Sequence, residues 1–157
     1  MKPRIGLTDS IKRSIILFHK WKEEKKYKVI IPDSAFYAIN NLTNDSLIID
    51  FKTRSVREYG SLKLKINVKE SGDRYIIQLL NTKDDLLDER ILTGSGVVEF
   101  NYLSALKYKI KAIFDQNKNG RWDTGDYPNK LQPEEVIFFP KMVEIRANWD
   151  LEEVWDL

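Results

Sequence analysis

The sequence predicts an all-β protein, an antiparallel β-sandwich preceded by a smaller, partial β unit. The first observation is segment 61–69, where apolar and polar residues alternate with a period of two. That period places one face of a strand on a core and the other in water. The second is a series of short segments rich in Ile, Val, Tyr and Phe, separated by turn formers such as Gly94-Ser95-Gly96. The third is the scarcity of apolar residues at helical spacing. Many short strands without helices are typical of a β-sandwich.

Predicted strands follow one another along most of the chain. Segment 61–69 should bury Leu62, Leu64, Ile66 and Val68 opposite a strand that contains Val143, Ile145 and Ala147. Segments 21–26 and 33–39 are each long enough for a helical turn but carry no long apolar stripe. The other strands are expected at 13–18, 27–31, 47–51, 74–80, 86–92, 97–100, 108–114, 136–139 and 142–149.

The polar segment 53–59 separates two units, which we place at residues 1–56 and 57–157. The first has about four predicted strands, whereas an immunoglobulin-like (Ig-like) sandwich needs roughly seven. We therefore expect a partial Ig-like unit, the tail of a domain whose opening strands lie upstream. The alternative is that it borrows strands from its neighbour. The second unit is long enough to fold alone.

Composition favours a binding or structural module over an enzyme. The 157 residues include 26 Lys and Arg against 24 Asp and Glu, a near balance that disfavours nucleic-acid binding. Because the chain has no Cys, disulfides, thiol nucleophiles and Cys-ligated metals are excluded. The single His, His19, makes a Ser–His–Asp triad improbable on composition alone. No stretch approaches the roughly 20 apolar residues of a transmembrane helix.

Segment 115–126 matches the spacing of a calcium-binding loop. Calcium takes six to eight oxygen ligands, and alternating short side chains wrap the chain around the ion while Gly allows a sharp turn. Arg121 would contribute its backbone carbonyl at position seven. The entering element is a strand and Tyr127-Pro128 follows, so the flanks are not those of an EF-hand. Positions one, three, five, six, nine and twelve hold Asp115, Asn117, Asn119, Gly120, Asp123 and Asp126.

Two alternatives to a calcium site remain open at this point. In an ion-free turn, the Asp and Asn side chains would cap their own backbone and Gly120 would supply a positive φ. Asp123 and Asp126 could instead form an acid/base pair for glycoside hydrolysis, although no nucleophile and base accompany them. With three carboxylates and a short final Asp, calcium affinity should be weak, with Kd on the order of 10⁻⁴ to 10⁻³ M.

The chain resembles a known family over about residues 15–157. Trp21, the run YKVIIP from Tyr27, the run NDSL from Asn44 and the run FKT from Phe51 are similar to the closing strands of a bacterial Ig-like domain of the S-layer type. The second half resembles the C-terminal region of Ig-like lipoproteins of Bacteroidota. It does so through the run YGSLKL from Tyr59, the run IIQL from Ile76, segments 114–126 and 144–150, and Gln132-Pro133-Glu134.

This resemblance implies stacked Ig-like or prealbumin-like sandwiches in a cell-envelope lipoprotein. It would lie at the outer membrane surface or in the periplasm, with a lipid anchor upstream. We expect a non-enzymatic spacer or interaction domain that is stabilised by calcium and meets a protein or glycan at the cell surface. The alternatives are a carbohydrate-binding module of a surface glycan-uptake system and a hydrolase accessory domain.

The four tryptophans distinguish these functions. A solvent-exposed row of indole rings on one sheet face would favour sugar stacking, whereas buried rings would favour a spacer. We expect Trp21 and Trp149 to pack in cores and Trp122 to cover the loop, because aromatic side chains are ordinary core material.

Overall fold

The computed structural model describes residues 4–7, 15–38, 40–69 and 72–157. The chain divides into two compact units, Met1–Ser55 and Val56–Leu157, with the boundary inside the polar segment 53–59. They are called the N-terminal and the C-terminal unit below. The positions of Arg13 in the first predicted strand and of Ser71 in a predicted turn lie outside the described residues.

The N-terminal unit consists of two antiparallel strand pairs. Strand β1 (Arg4–Leu7) pairs with β2 (Ile15–Phe18), and β3 (Lys26–Ile31) pairs with β4 (Leu47–Lys52). The two segments considered for helical turns form non-helical turns in their described residues.

No apolar side chain is buried among the described residues of the N-terminal unit. Ile30 and Ile48, which lie directly opposite each other, are 63% and 59% exposed. Two-stranded pairs have too little apolar surface to enclose a core, and an isolated hairpin is at best marginally stable in water.

The C-terminal unit is a β-sandwich, preceded by a short 3₁₀ turn at Val56–Glu58. One sheet has the order β12-β5-β8, and the other has the order β10-β9-β6-β7, with β11 also beside β9. The strands are β5 (Tyr59–Asn67), β6 (Arg74–Leu80), β7 (Leu86–Thr93), β8 (Gly96–Ser104), β9 (Lys107–Phe114), β10 (Val136–Phe138), β11 (Val143–Glu144) and β12 (Asp150–Asp156).

The core lies between these two sheets. Leu62, Leu64 and Ile66 of β5 are fully buried and Val68 packs against the same cluster, which confirms the prediction for segment 61–69. Ile77 of β6 and Ile110 of β9 meet them from the facing sheet. The alternation of polar and apolar residues is therefore the physical basis of the sandwich.

The predicted strand at 142–149 is wrong in most of its length. Only Val143–Glu144 is a strand, Ile145 is buried just beyond it, and Ala147 lies exposed in a turn. A strand that the pattern did not predict, β12, begins at Asp150. Its acidic residues break the apolar alternation, since Glu153 occupies an inward-facing position and pairs there with Lys141 at 2.9 Å.

Strand β12 pairs parallel with β5, and the other pairings of the described strands are antiparallel, as the sequence predicted. Polar partners on β5 accommodate its acidic outer face. The Ser61 hydroxyl donates to Asp150 at 2.5 Å, Lys63 Nζ lies 3.1 Å from Glu152, and the Asn67 amide donates to Asp156 at 2.7 Å. Each of these pairs joins residues that lie directly opposite each other in the ladder, so the acidic outer face of β12 is stabilised by its neighbour.

A fragment of residues 55–157 should fold on its own, because both sheets and the whole sandwich core lie within it. We expect cooperative thermal unfolding followed by circular dichroism. A fragment that shows no β signal and no transition would contradict this.

Residues 1–54 expressed alone should aggregate or stay disordered, because the described strand pairs leave apolar side chains exposed and strand edges unpaired. Analytical ultracentrifugation and circular dichroism would test this. A monomer with a cooperative melting transition would show that the unit is complete by itself.

Candidate calcium loop

The candidate loop follows β9 and is attached to two neighbouring strands. Asp115 N donates to Arg74 O of β6 at 2.9 Å, and Phe114 N donates to Glu135 O, just before β10, at 3.0 Å. The start of the loop is therefore fixed by the sheet itself.

Asp115 is the anchor of the loop and is 1% exposed. Its Oδ1 accepts the N–H of Asn119 and its Oδ2 accepts the N–H of Gly120, each at 2.9 Å. Arg74 Nε lies 3.1 Å from Oδ2, within ion-pair distance. Its buried N–H makes no hydrogen bond with the described residues. Arg74 Nη1 donates to Lys118 O at 2.7 Å. The charge of Asp115 is thus balanced inside the protein by an ion pair and backbone dipoles.

The side chains at positions three, five and nine of the loop come together. The amide nitrogens of Asn117 and Asn119 both lie 2.5 Å from Asp123 Oδ2. Asn117 Oδ1 accepts the N–H of Asn119 at 3.0 Å, and Asn119 Oδ1 accepts that of Arg121 at 2.9 Å. Gly120 has a φ of 79°, which a residue with a side chain adopts only with strain. These are the hydrogen bonds expected of the ion-free turn, in which Asp and Asn side chains cap their own backbone and Gly120 takes a positive φ.

Of the other two predicted site residues, Arg121 is predicted to contribute only its backbone carbonyl, and Asp126 is hydrogen-bonded outside this group. The Arg121 side chain is 79% exposed, with Nε 3.8 Å from Asp123 Oδ1. The Asp126 carboxylate accepts hydrogen bonds from the backbone N–H and the side-chain amide of Asn129, at 3.2 and 2.7 Å. Asp126 therefore closes its own turn, and Asp115, Asn117, Asn119 and Asp123 are the predicted residues that the structure gathers.

Glu134 lies outside the twelve-residue frame but holds the loop in place. It is 8% exposed, and its two carboxylate oxygens accept the N–H groups of Gln116 at 2.9 Å and Asp123 at 3.1 Å. Its backbone carbonyl accepts the indole N–H of Trp122 at 3.1 Å. The spacing of the calcium motif does not include this residue, because Glu134 lies beyond the twelve-residue frame, in the segment just before β10.

The loop also lies beside an apolar cluster on the outer face of its sheet. Ile76 and Ile113 face each other across β6 and β9 and are 0% and 1% exposed, although they belong to the face turned away from the sandwich core. A Cβ on Gly120 would lie 3.6 Å from Cδ1 of Ile91, the partner of Ile76 on β7. Ordering of the loop is thereby coupled to three strands of the sheet.

The donor chemistry of the gathered residues fits calcium in type. Carboxylate, amide and backbone oxygens are the ligands this hard cation prefers. Within residues 4–7, 15–38, 40–69 and 72–157, no three His, Cys, Asp or Glu side chains gather as metal ligands. Amide and backbone oxygens would have to complete a coordination sphere around Asp115 and Asp123.

The tryptophans are distributed differently from the expectation. Trp155 is in the sandwich core at 5% exposure, whereas Trp149, predicted to pack in a core, is 56% exposed in the segment that leads into β12. Trp21 is 41% exposed and packs edge-to-face on Tyr27, with ring centroids 4.9 Å apart. The exposed rings of the C-terminal unit, Trp122 and Trp149, lie on separate connecting segments and not in a row along one strand.

Comparison of the chain with protein-family models and with curated proteins gives no match. In the described part of the chain, no helix is long and apolar enough to span a bilayer. The similarity to Ig-like envelope lipoproteins therefore stays a prediction from the quoted residues.

Replacing Asp115 with Ala should lower stability in the presence and in the absence of calcium. Removing one partner of a buried ion pair costs about 3 kcal/mol, which corresponds to a melting temperature lower by roughly 10–20 °C for a unit of about 100 residues. Asp123→Ala is the matched control, since its carboxylate is 34% exposed and should cost about 1 kcal/mol or less without calcium. Thermal melts in chelator that show equal losses for the two variants would contradict the role of Asp115 as the buried anchor.

Proposed function

We propose that the C-terminal unit is a non-enzymatic β-sandwich module of the cell envelope, a spacer or interaction domain whose 115–126 loop binds calcium. The observation that supports this most is the arrangement of Asp115, Asn117, Asn119 and Asp123 around a single turn at the end of β9. Asp115, Asn117, Asn119 and Asp123 would hold the ion, together with backbone oxygens such as that of Arg121.

Calcium would act on stability rather than on a reaction. An ion bound to the folded loop would neutralise Asp123 and hold the turn in which Gly120 lies beside Ile91 of β7. Since unfolding releases the ion, binding shifts the folding equilibrium toward the native state by mass action.

The environment of the loop carboxylates supports a non-catalytic role. Asp115 is paired with Arg74, Asp126 is bonded to Asn129, and Asp123 accepts from two amides. A glycosidase needs two carboxylates that flank a sugar bond, one of them as a proton donor. The separate hydrogen-bonding roles of Asp123 and Asp126 favour a structural loop.

Location and partner follow from the resemblance to Ig-like lipoproteins. The proposed location is the outer membrane surface or the periplasm, with a lipid anchor upstream. The proposed partner is a protein or glycan. The separate positions of Trp122 and Trp149 favour the spacer or interaction domain over a carbohydrate-binding module, which typically stacks sugars on a continuous aromatic platform.

Calcium at ten times Kd should raise the melting temperature of the C-terminal unit. The linkage term is about 1.4 kcal/mol, a shift of about 5–10 °C. Thermal melts in millimolar calcium and in chelator would measure it, and magnesium should give a smaller shift because it requires a more regular octahedral sphere.

Asp123→Ala should remove this calcium shift while the unit still folds, and Asp73→Ala, an exposed carboxylate outside the loop, should keep it. If the wild-type melting temperature is the same in calcium and in chelator, the loop does not bind calcium and is an ion-free structural turn.

A further inference from the structure

The N-terminal unit contains an apolar groove between its two strand pairs, here called the N-terminal groove, with a volume of about 790 Å³. The pair β1–β2 lines it with Ile5, Ile15 and Leu17, which all belong to one face of that pair. From β4, Ile49 and Phe51 line it, again from one face. These strands therefore present flat apolar faces to the groove.

Strand β3 meets the N-terminal groove in a different way. Every residue of segment 27–32 lines it, so residues from both faces of β3 border the same space. A space that runs along the edge of a strand meets residues from both of its faces. In the described part of the chain β3 pairs with β4 alone, and in an antiparallel pair alternate N–H and C=O groups point away from the partner strand. One wall of the groove is therefore a strand edge with hydrogen-bonding capacity.

The side chains of β3 specify which strand would fit beside it. Tyr27, Val29 and Ile31 project to the apolar face that β3 shares with Phe51, while Lys26 and Lys28 project to the opposite face. The side chains of a strand added beside β3 would alternate between the same two faces. Apolar side chains would fill the groove side, and acidic side chains would pair with the lysines.

Charge in this unit also favours an acidic occupant. Residues 1–55 contain 11 Lys and Arg against 6 Asp and Glu. Lys26 lies directly opposite Lys52 on β4, a like-charge pair that costs stability unless an anion is near. Lys28 has one exposed carboxylate neighbour, Asp50, at 3.7 Å. Among the described side chains that line the groove, the ionisable groups are His19, Tyr27 and Lys28, with no carboxylate.

We propose that the edge of β3 and the N-terminal groove bind an extended peptide strand of a partner protein, with alternating apolar and acidic side chains. The added strand forms backbone hydrogen bonds with β3, and its apolar side chains bury the faces that the unit leaves exposed. This inference is independent of calcium binding by the C-terminal unit.

Two other occupants are less well matched to the groove. An amphiphile with an acyl chain would fill the apolar space but would leave the β3 edge without hydrogen-bond partners. A second copy of the N-terminal unit would bring the same excess of positive charge to the contact. In the experiment below, sedimentation detects a dimer, and the N-methylated peptides distinguish apolar adsorption from backbone pairing.

The test is calorimetric titration of the full chain with a blocked seven-residue peptide of alternating Glu and Val. We expect saturable binding, and weaker binding of the peptide with Lys in place of Glu. Two further peptides carry N-methyl groups on the Val residues or on the Glu residues. Because alternate N–H groups of a strand point to opposite edges, one of these two should lose binding and the other should keep it.

Charge variants of the chain locate the contact. Lys28→Glu should weaken binding of the Glu peptide by about three- to tenfold and strengthen binding of the Lys peptide, because it reverses a cross-strand pair. Lys65→Glu is the matched control, since Lys65 is an exposed strand lysine of the C-terminal unit, and it should change neither affinity.

Three results would overturn the proposal. The first is no binding of the Glu peptide at millimolar concentration. The second is equal affinity of both N-methylated peptides, which would indicate adsorption of apolar groups. The third is a dimer, seen by sedimentation, whose formation blocks peptide binding.

Discussion

A buried carboxylate at the end of β9 organises the region that carries the candidate site. Removing Asp115 from water is costly unless its charge is balanced and its oxygens accept hydrogen bonds. Arg74, the first residue of β6, provides the balancing charge, and two N–H groups of the loop provide the hydrogen bonds. The same contacts that satisfy Asp115 therefore hold the start of the loop against the sheet.

The loop and the sheet stabilise each other. Glu134 binds the loop from the side of β10, and Gly120 lies beside Ile91 of β7 on the outer face of the same sheet. An ion that rigidified the turn would consequently act on strands some residues away in sequence. Under the proposed function, this coupling is how an ion bound at the loop would change the stability of the sheet.

The two units differ in how they use the same kind of sequence pattern. In β5, one apolar face meets a second sheet and Leu62, Leu64 and Ile66 become fully buried. In β3 and β4, an equally apolar face borders a groove, and Ile49 stays 44% exposed. Periodicity determines which face is apolar, but the number of strands around it determines whether that face is buried.

Local sequence was sufficient to predict the strands around segment 61–69 and the turn from Asp115 to Asp123, because alternation and Asx-type hydrogen bonds act within a few residues. The tertiary structure alone decided the rest. Parallel pairing of β12 depends on polar partners from β5, far away along the chain. Glu134 reaches the loop from beyond the turn, while Asp126, correctly spaced for calcium, is bonded to Asn129. Spacing in a sequence records which oxygens are near in the chain, and only folding decides which of them point to the same place.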